Sequence, residues 1–182
     1  MNHVLRAAVV GACVVAAGCG GSGARQEWTN DFVTDGEDAF LVDDDFVCLD
    51  DARFDVVGHS RIWNVLGHQQ QAVDFATGGD IGTYPVGTVL QLFPGEASVK
   101  RGKGFSPATG DWEFFLLDTE SGETVIRERG TTEISNVGGT CLKCHGGANA
   151  YDYACFSNDG CGDLPFFIDT NVVPAEDDAR CR

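Results

Sequence analysis

The chain has 182 residues, which is enough for one ordinary domain. It carries 28 acidic residues against 12 lysines and arginines, for a formal net charge of −16 at pH 7. Because so strong a negative charge repels phosphates, nucleic acid and anionic lipid are excluded as expected partners. The same surface can attract a basic protein partner or a small cation, although solubility alone also accounts for it.

The first 18 residues predict an export signal. Arg6 supplies the positively charged n-region of such a signal. The apolar stretch 7–18 that follows is too short for a membrane-spanning helix, which needs about 20 residues. The run VAAGC at positions 15–19 resembles a bacterial lipobox, after which the cysteine is acylated. We therefore expect residues 1–18 to be a lipoprotein signal peptide and Cys19 to carry the lipid. The alternative is an ordinary signal peptide cut near Ala17, which leaves Cys19 as a plain thiol.

Residues 19–27 are rich in glycine and predict a lipidated flexible tether, with the folded domain at 28–182. Gly20 follows the acylated cysteine where an aspartate would favour retention in the inner membrane. The expected location is thus the periplasm or the cell surface, on a lipid anchor, with the outer membrane preferred.

Within the domain, residues 60–75 have a loosely helical period of apolar side chains. Residues 88–93 and 112–118 are β-branched and aromatic runs that predict strands. A turn at 119–122 and an alternating segment at 123–129 complete a β-hairpin with one apolar face. The predicted fold class is α+β, with a mainly antiparallel sheet and a few helices.

The run CLKCH at positions 141–145 is the chemically informative motif. Two thiols three positions apart, Cys141 and Cys144, can add to the two vinyl groups of haem, and His145 then binds the iron. Behind an export signal, this predicts one covalent haem c. Three alternatives compete: a redox CxxC, which needs a thioredoxin-like frame; a zinc site, which needs two further ligands; and a disulfide-stapled binding module without haem.

The sixth iron ligand is informative because electron-transfer cytochromes c commonly use methionine there. The chain's one methionine is Met1, which leaves with the signal peptide. We therefore expect iron with an open distal face that binds a small molecule such as nitric oxide, carbon monoxide, hydroxylamine or peroxide. The alternative is a membrane-tethered electron-transfer cytochrome, in which His59 or His68 completes a bis-histidine site.

Four cysteines remain after export, lipidation and haem attachment, which is enough for two disulfides in an oxidising compartment. Cys155 and Cys161 close a short loop of turn-forming residues and are the favoured pair. Cys48 and Cys181 then follow by elimination. Four cysteines allow three connectivities, so the pairing stays open at this point.

The order of five motifs resembles the cytochrome P-460 family, whose relatives include the nitric-oxide-binding cytochromes c′-beta. The motifs are YPVGTVL (84–90), VKRGKGF (99–105), GDWEFF (110–115), CLKCH (141–145) and the pair Asp152-Tyr153. The run 155–161 followed by Leu164-Pro165 is similar to a disulfide-bearing subgroup. The resemblance implies an antiparallel sheet with haem packed against it, often in a homodimer. It also implies that His145 is the proximal ligand and that Cys141 and Cys144 are the thioether donors.

Members with the namesake activity oxidise hydroxylamine and use a lysine cross-linked to the haem ring. That lysine usually lies on the strand after the Pro-x-Gly turn, where this chain has Gln91 and Leu92, neither of which can form the cross-link. Lys100 and Lys103 are the next lysines along the chain. The sequence thus predicts the haem and leaves open whether the protein is a hydroxylamine-oxidising enzyme.

Further side chains have two interpretations each. Asp152 is a candidate carboxylate for moving protons, or a capping residue after the haem motif. Trp112, Phe114 and Phe115 lie on a strand whose faces alternate, so core packing is the default and one face can touch haem.

Overall fold

The computed structural model describes residues 36–57, 60–78, 82–136, 139–154 and 177–182. These residues contain a six-stranded sheet in which every neighbouring pair is antiparallel and strands neighbour each other in chain order. The strands are β1 (Asp55–Val57), β2 (Ser60–Asn64), β3 (Thr88–Gln91), β4 (Glu96–Lys100), β5 (Trp112–Asp118) and β6 (Val125–Gly130). The α+β fold class with a mainly antiparallel sheet is confirmed.

Smaller elements complete the described part of the chain. The helices are α1 (Gln69–Gly78) and α2 (Cys141–His145), and a two-stranded ribbon pairs β7 (Ser135–Asn136) with β8 (Gly139–Thr140). Short 3₁₀ turns occur at Asp43–Asp45, Pro107–Thr109, Gly146–Tyr151 and Ala179–Cys181. Within these ranges, no helix has the length and apolarity needed to span a bilayer.

The sheet is covered on both faces, so that it separates two hydrophobic cores. Alternate residues of β5 enter opposite cores: Phe115 and Leu117 face one side, and Trp112 and Phe114 face the other. The first core consists of Ala39, Leu41, Phe46, Val89, Ala97, Val99, Phe115 and Leu117, and the second core consists of Ile62, Ala72, Tyr84, Leu90, Trp112, Phe114, Ile134 and Ala154.

The predicted hairpin is present as β5 and β6, but its single apolar face is wrong for β5. Both faces of β5 are buried, because the segment that contains Ala39, Leu41 and Phe46 covers the Phe115 side of the strand. Strand β4 was missed in the sequence. Its alternation is weak, since Ala97 and Val99 are small, yet it pairs with both β3 and β5.

The helix predicted over residues 60–75 was wrong in its first part. Residues 60–64 form strand β2, and the helix begins at Gln69. Asn64 causes the change, because its side-chain oxygen accepts hydrogen bonds from the backbone N–H groups of Leu66 (2.9 Å) and His68 (3.0 Å). Such local side-chain bonds end one element and begin the next.

The Cys48–Cys181 disulfide is confirmed, and it ties the C-terminal residues to the segment before β1. Beside it, the Asp178 carboxylate accepts a hydrogen bond from the Leu49 backbone N–H at 3.0 Å and pairs with Arg180 at 2.7 Å. The predicted Cys155–Cys161 pair lies outside the described residues.

Replacing Cys48 and Cys181 together by alanine is expected to lower the free energy of unfolding by about 2–5 kcal/mol, because the bridge closes a long loop and restricts the unfolded chain. The two cysteines are 133 residues apart in sequence. Denaturant unfolding monitored by tryptophan fluorescence measures the change. Wild-type protein unfolded in excess reductant should lose at least as much, because reductant also cleaves the predicted Cys155–Cys161 bridge, and a change below about 1 kcal/mol in the double variant would contradict the expectation.

Candidate cofactor site

Helix α2 presents both motif cysteines from one short, anchored element. It starts directly after β8, and the Cys141 backbone N–H donates to the Ile134 carbonyl at 2.8 Å. Cys141 and Cys144 are free thiols and half-buried, and Cys141 packs against the second core. Because residues three apart in a helix lie on one side of it, both sulfurs are offered to the same region.

The His145 imidazole is held by two contacts. Its Nδ1 lies 2.7 Å from the Tyr153 carbonyl oxygen, and its ring centroid lies 4.9 Å from that of Phe114. A carbonyl can only accept, so Nδ1 carries the proton and the lone pair is on Nε2. Burial lowers the pKa of His145, although the Tyr153 bond and nearby Glu96 oppose the shift. The neutral tautomer with a free Nε2 is the form that binds a metal.

Both thiols are held in their neutral form. Burial raises the pKa of Cys141 to about 11, with a further contribution from Glu96, and burial also raises the pKa of Cys144. Redox-active CxxC thiols have lowered pKa values, and zinc requires thiolates. In the part of the chain that the structure describes, no group of three or more His, Cys, Asp or Glu side chains is arranged to hold a metal ion.

These donors fit a covalent haem. The requirements are two thiols on the same side of a helix and an adjacent neutral imidazole with Nε2 available, and α2 supplies all three. The second core, against which Cys141 packs, lies on one face of the sheet, so a group attached here would lie on the Phe114 side.

Asp152 closes the turn that follows α2. It is 5% exposed, and both carboxylate oxygens lie 2.7 Å from the Lys100 ammonium. The Tyr84 backbone N–H also donates to it at 2.7 Å, and Asp152 caps the 3₁₀ turn Gly146–Tyr151. Burial raises the pKa of Asp152, while Lys100 opposes that shift. The capping interpretation of Asp152 is confirmed.

The four positions considered for a haem-linked lysine differ in which side of the sheet they face and in how buried they are. Gln91 ends β3 on the side of the first core, away from α2, and its amide donates to the carbonyls of the following turn. Leu92 follows the strand and is half-buried. Lys100 faces the second core but is engaged with Asp152 and the Gly110 carbonyl (2.6 Å). Lys103 is exposed.

The three aromatic residues of β5 are core residues, as expected by default. Trp112, Phe114 and Phe115 are each 1–2% exposed. Phe115 packs against Phe46 in the first core, whereas Phe114 contacts the His145 ring. One face of β5 therefore supports the candidate site directly.

His68 is engaged elsewhere. Its Nε2 lies 3.1 Å from the Glu37 carboxylate. His59 lies outside the described residues.

Two features of the site were missed in the sequence. Glu96 on β4 lies close enough to the motif to act on the pKa values of both thiols and of His145. Its carboxylate also accepts a hydrogen bond from the Asn136 amide at 2.8 Å. The second feature is the Lys100–Asp152 pair, whose members belong to two motifs 52 residues apart. No period or spacing in the sequence joins such residues.

No protein-family model, no curated protein and no solved structure matches this chain. The site is therefore interpreted from its own residues.

Proposed function

We propose that the chain is an exported, lipid-anchored monohaem c-type cytochrome that binds or redox-converts a small nitrogen species, nitric oxide or hydroxylamine, at an open iron face. The observation that carries the proposal is the His145 imidazole, whose Nδ1 is bound to the Tyr153 carbonyl beside two neutral thiols on α2. A histidine with this tautomer is prepared for an axial bond through Nε2.

The chain's own residues supply the two thiols and the imidazole that a covalent haem would use. The S–H bond of each thiol, at Cys141 and Cys144, would add across one vinyl C=C bond of haem, with a C–S and a C–H bond formed and no leaving group. His145 would bind the iron through Nε2, and the Phe114 ring, which contacts the imidazole, would limit its tilt. The bound haem iron supplies a coordination position and one-electron chemistry.

Ligand binding is favoured over simple electron transfer because the candidate sixth ligands are few. Met1 precedes the expected cleavage site, and His68 is bound to Glu37. The bis-histidine electron carrier is the alternative, and His59 is its remaining candidate. The acidic surface suits a basic redox partner in either case.

Binding is also favoured over cross-link-dependent oxidation of hydroxylamine. Gln91 lies on the far side of β3, Lys100 is buried in its ion pair, and Lys103 is exposed. We therefore propose a member of the cytochrome P-460 group whose activity does not use a lysine–haem bond. The mainly antiparallel sheet agrees with this, and a homodimer is proposed from the same resemblance.

An optical spectrum with and without carbon monoxide tests the proposal. The full chain is exported in a bacterium that has haem-attachment machinery, purified in detergent and reduced. We expect a red protein with the mass of one added haem, a five-coordinate spectrum, and a large shift on addition of carbon monoxide. A low-spin spectrum that does not respond would favour the electron carrier, and a colourless protein would exclude both.

A further inference from the structure

The turn that accepts the His145 hydrogen bond has an unusual backbone. Asp152 has φ +53° and Tyr153 has φ +63°, both in the left-handed region that non-glycine residues rarely adopt. Two such residues in succession persist only where their surroundings hold them. The Tyr153 carbonyl, which binds Nδ1 of His145, belongs to this turn.

Contacts from three other segments hold the turn. The Lys100 ammonium on β4 binds both Asp152 oxygens at 2.7 Å, and the Trp112 Nε1–H on β5 donates to the Asp152 carbonyl at 2.6 Å. The Tyr84 N–H binds the same carboxylate. The side chain of Asp152 and its backbone carbonyl are thus both fixed by the sheet.

Gly110 shows how closely the turn is packed. A Cβ atom added at Gly110 would lie 2.5 Å from the Tyr153 ring and 3.3 Å from the Asp152 carboxylate. The Gly110 carbonyl also accepts a hydrogen bond from Lys100 at 2.6 Å. The turn therefore has little freedom to move its carbonyl away from His145.

We propose that Lys100 and Asp152, together with Trp112, are positioning residues for the axial ligand His145. This inference rests on the proposed function. The ammonium fixes the carboxylate, the carboxylate and Trp112 fix the left-handed turn, and the turn aims its carbonyl at Nδ1. The orientation of the imidazole, and the electron density that it donates through Nε2, are thereby set by strands β4 and β5.

Stability alone is a weak reason for such a pair, because the desolvation of two buried charges largely offsets their attraction. Both members are 5% exposed. The pair lies one peptide from the carbonyl that binds His145, and partners behind a metal-bound histidine commonly tune the metal.

The test compares Asp152→Asn with Asp178→Asn in haem-loaded full-length protein. Both carboxylates are buried, and each binds one basic side chain and one distant backbone N–H, so the substitutions are matched. Asparagine also tolerates the left-handed backbone. We expect Asp152→Asn, and not Asp178→Asn, to lower the frequency of the iron–histidine stretching band in resonance Raman spectra. The carbon monoxide release rate should change by about tenfold.

Trp112→Phe is the second variant, because it removes the Nε1–H donor and keeps an aromatic core residue. Trp63→Phe is its control, since Trp63 packs against the first core on the other face. If Asp152→Asn does not fold, the iron–histidine band and the carbon monoxide release rate of Trp112→Phe test the inference instead.

The outcomes separate the two proposals. A wild-type protein without haem would overturn the proposed function and this inference with it. Attached haem whose iron–histidine band and carbon monoxide kinetics are unchanged in both test variants would overturn the inference alone. A shift confined to the two test variants would support it.

Discussion

Alanine at both Cys141 and Cys144 is expected to abolish covalent haem attachment, so that denatured protein carries no haem mass and no haem stain. The reason is that these are the sulfurs that α2 offers on one side of the helix beside His145. Mass spectrometry of the acid-denatured protein measures the loss, because haem held only by coordination dissociates under those conditions.

Single variants refine the expectation. Cys141→Ala and Cys144→Ala should each retain haem through one thioether, with a shifted optical spectrum because one vinyl group stays unsaturated. The matched control is Cys48→Ala with Cys181→Ala, which removes the two sulfurs of the disulfide and should retain full attachment. Haem that survives denaturation of the Cys141/Cys144 double variant would show that another residue forms the bond.

His145→Ala addresses the axial ligand separately from the thioethers. The two cysteines are unchanged in this variant, so any loss of the five-coordinate spectrum reports on the imidazole. Together with the double-cysteine variant, it separates attachment from coordination.

The sequence predicts an element correctly where the local residue pattern alone determines it, and fails where pairing with distant strands does. The aromatic run of β5 identifies its strand with exact bounds, because a dense β-branched and aromatic sequence has few alternatives. Residues 60–64 belong to a stretch with a loosely helical period, yet they form a strand because they pair with β1 and β3. Long-range pairing of that kind is invisible to a local pattern.

The candidate site divides in the same way. Cys141, Cys144 and His145 lie within one run of five residues, so the sequence alone identifies the motif, and the structure adds the tautomer of His145 and the groups around it. The residues behind them are not contiguous: Lys100 comes from β4 and Asp152 from the turn after α2. Asp152 was therefore considered as a proton carrier as well as a cap, and its contact with Lys100 could not be foreseen. The packing of Ala39, Leu41 and Phe46 against β5 was not predicted either, because these residues are also far from the strand in sequence.

Buried charged side chains on the first-core side of the sheet were also unexpected, because 28 acidic residues suggested a solvated surface. Glu113 is 3% exposed and accepts hydrogen bonds from both Arg101 and Arg129. Arg101 also pairs with Asp38 at 2.6 Å, and Arg129 donates to the Leu41 carbonyl at 2.8 Å. These guanidinium and carboxylate groups thus form a network of buried ion pairs.

Glu113→Gln is expected to lower the free energy of unfolding by about 3–5 kcal/mol, since it removes a buried negative charge that binds both Arg101 and Arg129. The amide also turns one acceptor into a donor that faces a guanidinium. For a chain of this size the midpoint of thermal unfolding should fall by about 10 °C. Circular dichroism on heating measures the midpoint, and denaturant unfolding measures the free energy.

Glu128→Gln is the matched control, because Glu128 is exposed on β6, next to Arg129 in sequence. It should change stability by no more than about 0.5 kcal/mol. Since Glu113 points to the first core and α2 packs on the side of the second, the haem spectrum of folded Glu113→Gln should equal that of the wild type. Equal stability of the two glutamine variants would show that the network does not hold the N-terminal segment to the sheet, whereas a changed spectrum would show that the two faces are coupled through β5.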